Sequence, residues 1–146
     1  MIQDIKITPL KILSDNRGSV MHMLRADSKV FKRFGEIYFS TISKNSIKAW
    51  HLHKEATLNY VCVRGSVKLV LYDDRASSST KGKYQEFVLS PKEYFLITIP
   101  PNIWNGFKNI SDEESIIANC LDIPHNEKEM VRESYDSKKF NFDWKK

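Results

Sequence analysis

Short stretches in which apolar and polar residues alternate follow one another along most of this chain. They occupy residues 5–8, 19–24, 36–40, 61–72, 84–89, 94–99 and 115–121, and β-branched and aromatic residues are common in them. Successive side chains of a strand point to opposite faces, so this pattern buries one face of each strand. Many short strands with turns between them predict an all-β sandwich or closed barrel.

Little of the chain has a helical pattern. Residues 28–34 are compatible with one turn, and residues 126–134 have a helix-forming composition, so we expect one or two short helices. The polar and aromatic residues 135–146 are expected to fold back over the barrel or to pair with a neighbour. A chain of 146 residues supports one core, and residues 1–146 are predicted to form a single domain.

The charge and apolar patterning exclude some partners. The net charge is +5, but the basic residues are scattered, which argues against nucleic acid and suits a small substrate with a diphosphate. No apolar run approaches the ~20 residues of a membrane span, and no signal peptide is evident at the start. Cys62 and Cys120 lie in strand-like contexts and are expected to be buried free thiols. We therefore predict a cytoplasmic protein without a membrane partner.

Two histidines stand two positions apart in the segment Lys48-Ala-Trp-His51-Leu-His53. In a β-strand this spacing places both imidazoles on one face. Imidazoles that face the inside of a small barrel serve either as metal ligands or as acid–base catalysts. The remaining possibility is a pair of packed strand residues without a chemical role.

The order of these pieces resembles the cupin superfamily, whose fold is a double-stranded β-helix or jelly roll. His51 and His53 fit the first cupin motif, but its glutamate position falls on Thr57 or Leu58, and Asn105 replaces the histidine of the second motif. A cupin metal site commonly has three histidines and one glutamate, so this set is too poor in ligands for tight binding. We expect no metal and no cofactor.

Within the cupins the chain is most similar to the dTDP-4-dehydrorhamnose 3,5-epimerases, over roughly residues 12–125. The segments that follow their motifs are Asp15-Asn16-Arg17-Gly18, Lys48-Ala-Trp-His51, Tyr72-Asp-Asp-Arg75 and Ile99-Pro-Pro-Asn-Ile-Trp-Asn-Gly106-Phe107. The resemblance implies a metal-independent isomerase of a nucleotide-diphosphate 4-keto-6-deoxy sugar, active in polysaccharide biosynthesis. It also implies a homodimer that pairs or exchanges N-terminal strands.

The resemblance further implies roles for seven residues. His51 is expected to be the general base that takes a proton next to the ketone, since an imidazole with a pKa near ~6.5 suits this task at neutral pH. His53 is expected to assist proton transfer or to orient the substrate. The substrate-binding residues are expected to be Arg17 and Lys48 at the diphosphate, Trp104 by stacking on the sugar or thymine, and Asn105 and Tyr38 at the sugar pocket.

A related group, the sugar-nucleotide 3,4-ketoisomerases, also fits this sequence. The segments His51-Leu-His53-Lys54 and Gly65-Ser66 and the residue Trp104 follow its pattern, and residues 127–132 are similar to its acidic D-Y-I-R ending. Ketoisomerisation is therefore an alternative activity. A non-catalytic or metal-binding cupin is another.

One position bears on the choice between the two reactions. Epimerases place a tyrosine on the sugar face opposite the histidine, and here that position falls near Ile123. Same-face proton transfer by histidines does not need this tyrosine, whereas epimerisation at two carbons needs a donor on the second face. Tyr38, Tyr60 and Tyr135 are the candidates for that donor.

Overall fold

The strands build two sheets that lie face to face, in a computed structural model that describes residues 1–146. The strands are β1 Lys6–Pro9, β2 Ile12–Asp15, β3 Gly18–Met21, β4 Glu36–Ile42, β5 Ile47–His53, β6 Leu58–Arg64, β7 Val67–Asp73, β8 Tyr84–Leu89, β9 Phe95–Ile99, β10 Ile103–Asn109, β11 Ser115–Leu121 and β12 Met130–Arg132. A single 3₁₀ turn covers Glu127–Glu129. The all-β jelly roll predicted from the sequence is confirmed.

Each of the two sheets has five antiparallel strands. The first sheet has the order β1-β9-β6-β11-β4, and the second has the order β12-β5-β10-β7-β8. Fully buried side chains from both sheets, such as Leu58, Leu69, Ile97 and Ile117, form the core between them. The strands β2 and β3 form a separate hairpin. Because β4 and β12 are edge strands, both keep one side open to further pairing.

The chain passes between the two sheets several times, and one of these crossings is the turn between β6 and β7. Gly65 in this turn has φ +73°, and a Cβ there would lie 2.2 Å from the Oγ of Ser115. The same hydroxyl accepts a hydrogen bond from the Ser66 backbone N–H at 3.1 Å. Only glycine combines this backbone conformation with so close an approach, and the crossing brings β7 onto β10.

The helix predicted over residues 126–134 is wrong. After the 3₁₀ turn these residues form β12, which pairs with β5 through Met130↔His53 and Arg132↔His51. The single turn expected in residues 28–34 is present, with Phe31 N–H donating to Ser28 C=O at 3.0 Å. The open edge of β5 offers unpaired backbone groups, and pairing with them outweighs a weak helix propensity. No helix in the structure has the length and apolarity required to cross a bilayer.

The C-terminal residues 135–146 fold back over the outer face of the second sheet, as expected. Phe140 stacks on Trp50 with ring centroids 4.5 Å apart. Trp144 packs on the same indole at 5.1 Å, and both tail side chains are buried. The tail therefore covers the face of β5 opposite to its histidines.

Candidate active site

A cavity of about 370 Å³ opens between the two sheets. The second sheet contributes Lys48, His51, His53, Phe107, Met130 and Arg132 to its lining, and the first sheet contributes Tyr38, Ser40, Tyr60 and Ile117. A ligand between the sheets therefore meets imidazoles on one wall and phenols on the other.

His53 is paired with a buried carboxylate. Its Nδ1 hydrogen-bonds Oε1 of Glu129, and both side chains are almost completely buried. The other carboxylate oxygen accepts the backbone N–H groups of Glu55 at 3.1 Å and Ala56 at 3.4 Å. Burial raises the pKa of Glu129, but the hydrogen bonds from His53 and these N–H groups outweigh it and lower the pKa overall. Because an ionised carboxylate only accepts, Nδ1 donates to it, and in the neutral imidazole Nε2 is then the nitrogen with the lone pair.

His51 differs from His53 because it has no carboxylate partner. Burial, followed by the positive charges of Arg132, of His53 in its protonated form and of Lys48, lowers the pKa of His51 from 6.5 to about 4. This imidazole is therefore neutral at pH 7, and it carries one N–H donor and one acceptor.

Two tyrosines of the first sheet stand across the cavity from the histidines. Tyr60 is buried, and its hydroxyl donates to Oδ1 of Asn105 at 3.2 Å. The Tyr38 hydroxyl accepts a hydrogen bond from Nδ2 of Asn119 at 3.0 Å. Burial raises the pKa of both phenols, so both are protonated at neutral pH. Tyr135, the third candidate, is exposed and does not line the cavity.

The side chains of His125, Glu127 and Arg132 form a connected series of charged and polar groups beside the cavity. The Nη1 of Arg132 donates to Oε2 of Glu127 at 2.7 Å and its Nη2 to Oε1 at 3.1 Å. His125 lies 2.7 Å from the same carboxylate, and the hydrogen bond from Arg132 lowers the pKa of Glu127 to about 2. A second cavity of about 290 Å³ adjoins here and shares Arg132, Met130, His53 and Tyr38 with the first.

Four of the seven residues expected at the site lie together around the central cavity: Tyr38, Lys48, His51 and His53. The Nζ of Lys48 donates to Oγ of Ser40 at 3.0 Å, which leaves its charge at the cavity wall. His, Cys, Asp and Glu side chains form no group of three or more that could hold a metal ion.

The other three residues do not line this cavity. Arg17 lies in the β2–β3 turn, is exposed, and pairs with Asp15 at 2.7 Å. Trp104 is buried beneath the C-terminal tail, with the Nζ of Lys139 4.3 Å from its ring centroid. Asn105 is fully buried and donates from Nδ2 to the His51 backbone carbonyl at 3.1 Å. Asn105 is the cross-strand partner of His51 on β10, and it connects the β5 backbone to the Tyr60 hydroxyl between the two sheets.

Glu129 and Arg132 were not identified as site residues from the sequence. Both come from the segment predicted as a helix, and they reach the site only through the pairing of β12 with β5. The one available signal was the similarity of residues 127–132 to an acidic motif that ends in arginine.

The whole chain is similar to known proteins of one family. The family model of dTDP-4-dehydrorhamnose 3,5-epimerase matches residues 1–146. The "Probable low-salt glycan biosynthesis epimerase Agl13" of Haloferax volcanii is 33% identical over 120 residues, which are 81% of this chain and 77% of that protein.

Solved structures show the same likeness. A dTDP sugar isomerase from Desulfovibrio desulfuricans is 37% identical with a TM-score of 0.96, over 99% of this chain and 92% of the other. The sugar 3,4-ketoisomerase QdtA from Thermoanaerobacterium thermosaccharolyticum shares the fold, with a TM-score of 0.75 and 18% identity over 93% of this chain and 92% of its own.

Proposed function

The chain belongs to the dTDP-4-dehydrorhamnose 3,5-epimerase family, an enzyme family of nucleotide-sugar isomerases, and we propose that it moves protons on carbons next to the ketone of a dTDP-4-keto-6-deoxy sugar. The observation that carries this proposal is the pair of imidazoles, one held by a buried carboxylate, opposite two protonated phenols. We place the reaction in glycan or polysaccharide biosynthesis in the cytoplasm, without nucleic acid or membrane as partner.

We assign the base to His53, with His51 in the orienting role. Protons next to a ketone are acidic because the resulting carbanion is delocalised as an enolate. The negative charge of Glu129 stabilises the imidazolium that forms when Nε2 of His53 takes such a proton. His51 has no such partner, and its lowered pKa makes it the weaker base. The family resemblance implies the opposite assignment, with His51 as the base, and the contact between His53 and Glu129 is the reason that we prefer His53.

Epimerisation also needs a proton donor on the second face of the sugar. Tyr38 and Tyr60 stand on the facing sheet and keep their protons at neutral pH, so each can deliver one to the enolate from the side opposite the histidines. They replace the tyrosine that is absent near Ile123. This arrangement supports an epimerase.

Substrate binding involves Lys48 and Tyr38 within the chain, and we propose that Arg17 acts across a homodimer. Lys48 offers a cation to the diphosphate. Arg17 is fixed to the tip of an exposed hairpin and does not reach the cavity of its own chain. A second copy that pairs through its N-terminal strands would bring this guanidinium to its partner's site. Asn105 acts by holding β5, and Trp104 by holding the tail.

The experiment is incubation with dTDP-4-keto-6-deoxyglucose in D₂O, followed by NMR. Deuterium at both C3 and C5 is the expected result. Lack of exchange at both carbons, with retained dTDP binding, would indicate a non-catalytic cupin and overturn the proposal. A His53→Asn variant that exchanges as fast as the wild type would remove the base assignment.

The second candidate is 3,4-ketoisomerisation, favoured by the position of both histidines on one wall. Two groups on one sugar face can pass a proton through an enediol without help from the other face. Deuterium at C4, together with a carbonyl moved from C4 to C3 and no exchange at C5, would identify this reaction.

A further inference from the structure

The guanidinium of Arg132 stands beside the proposed reaction centre. Arg132 is the direct cross-strand partner of His51 in the β12–β5 pair, and directly opposed residues share one face with Cβ atoms about 4.5–5.5 Å apart. Both side chains line the central cavity. Of the five N–H donors of an arginine, the carboxylate of Glu127 takes one on each Nη. The Nε–H has no partner within the chain and is available to a ligand.

Proton removal next to a ketone requires a group that receives the developing charge. As His53 takes the proton, the C–H electron pair becomes the C=C bond of the enolate, and the carbonyl π pair moves onto the ketone oxygen. Fixed positive groups aimed at such an oxygen give the largest stabilisation of enolate-like transition states. On the assumption that the proposed function is correct, we infer that Arg132, together with the N–H of His51, binds the ketone oxygen and stabilises the enolate.

The position of Arg132 favours the ketone oxygen over the diphosphate. The charged oxygen belongs to the carbon next to the reacting one, so its binding group must lie within a few ångströms of the base. Arg132 meets this condition because it is opposite His51 and one cavity-facing step along β12 from Met130, the partner of His53. The diphosphate begins further along the sugar, at C1, and Lys48 is the cation that remains for it. An arginine also keeps its proton, so it stabilises the enolate without quenching it.

The role of Glu127 follows from the same geometry. Its carboxylate holds the two Nη atoms of Arg132 and thereby fixes the direction of the guanidinium. Glu127 is in turn held by His125. Glu127 is therefore a positioning residue that acts through Arg132, while Arg132 touches the substrate.

The test compares Arg132→Gln with the wild type in two measurements: the C–H exchange rate in D₂O at saturating dTDP-4-keto-6-deoxyglucose, and the affinity for dTDP by calorimetry. We expect exchange to fall by ~10²–10³-fold, the usual cost of removing one such donor, while dTDP affinity stays within about twofold. Guanidinium added to an Arg132→Ala variant is expected to restore part of the rate. The matched control is Arg25→Gln, which removes an exposed guanidinium paired with Asp27 and should leave both quantities unchanged.

Three results would overturn the inference. Exchange by Arg132→Gln at the wild-type rate removes the role outright. A dTDP affinity lower by about tenfold or more, with normal exchange at saturation, makes Arg132 a diphosphate ligand instead. If Arg132→Gln does not fold, Glu127→Gln keeps the arginine and should slow exchange by about tenfold; an unchanged rate there also contradicts the inference. A wild-type protein that shows no exchange refutes the proposed function itself. This failure is distinguishable from a failure of the Arg132 inference, because the wild type is measured before any variant.

Discussion

The difference between the two histidines depends on one carboxylate. His53 and His51 share a strand and a face, yet only His53 touches Glu129. The carboxylate of Glu129 accepts from Nδ1 of His53, which fixes the tautomer of the neutral ring and leaves Nε2 to take a proton. His51 instead lies next to Arg132 and stays neutral. This difference is the basis of the separate roles that we propose for the two imidazoles.

Replacement of Glu129 by glutamine tests this division. The amide can donate to Nδ1 of His53, which would place the remaining proton on Nε2 and remove the lone pair that faces the cavity. We expect the exchange rate in D₂O to fall by ~10²–10⁴-fold with dTDP affinity retained. Glu113→Gln, which changes an exposed carboxylate paired with Arg64, is the control and should leave exchange unchanged. A Glu129→Gln enzyme with normal exchange would contradict the base assignment.

The lowered pKa of His51 predicts how stability depends on pH. Its folded pKa of about 4 lies below the ordinary value of 6.5, so the unfolded chain binds more protons between these two pH values. The free energy of unfolding should therefore fall as pH decreases from about 6.5 to about 4, by about 3 kcal/mol at most from this residue. Urea unfolding at pH 7 and pH 4.5 measures it. His51→Asn should lose less stability over this interval than the wild type, and an identical loss would show that burial of His51 has no such cost.

At the scale of elements, β12 and the tail after it act as one unit that completes the site. β12 pairs with β5, and the pairing continues as Trp50 N–H donates to Glu133 C=O at 2.7 Å and Glu133 N–H donates back at 3.0 Å. Phe140 then stacks on Trp50 from the outer face. The aromatic contacts of the tail thus support β5 and, through it, β12, which ends at Arg132 and directly follows Glu129.

Removal of the Phe140 ring should therefore affect both stability and activity. Phe140→Ala creates a cavity in the aromatic cluster and should lower the free energy of unfolding by about 3 kcal/mol. Exchange in D₂O should also slow, because β12 loses part of its support. Phe34→Ala removes an exposed ring and should change stability by less than about 0.5 kcal/mol. If both variants unfold at the same urea concentration, the tail does not stabilise the site.

The whole molecule leaves an apolar surface uncovered. The edge strand β4 presents Ile37 and Phe39 to solvent, and Phe39 is 64% exposed. The separate β2–β3 hairpin exposes Leu13 and Val20. Open strand edges with apolar side chains are sites of pairing between chains. We expect the homodimer to form through these surfaces.

Light scattering after gel filtration should show twice the mass of one chain. Phe39→Asp should shift this mass to that of the monomer, because a carboxylate at an apolar interface is costly to bury. The control is Val88→Asp, at an exposed apolar position on β8, the edge strand of the second sheet, and it should leave the mass unchanged. A wild type that is monomeric at all concentrations would refute the dimer and the role proposed for Arg17.

The local pattern of the sequence was enough to predict most of the strands and the fact that the two histidines share one face. Alternation has a period of two, and it predicted β4, β6, β7, β8, β9 and β11 and the common direction of His51 and His53, because both depend only on neighbouring residues. The similarity of short motifs identified the family. The base that we propose, His53, depends on its contact with Glu129, which local pattern does not reveal.

Only the tertiary structure brought Glu129 to His53 and Arg132 to His51. The residues of each pair are far apart in the chain, and their meeting requires β12 to form on the edge of β5, against the helix-forming composition of residues 126–134. Propensity is a weak local preference, whereas the pairing energy of an open sheet edge exists only once the rest of the barrel is in place. For the same reason Trp104 and Asn105 matched a site motif in the sequence but do not line the cavity: Trp104 packs under the tail on the outer face, and Asn105 is enclosed between β5 and Tyr60.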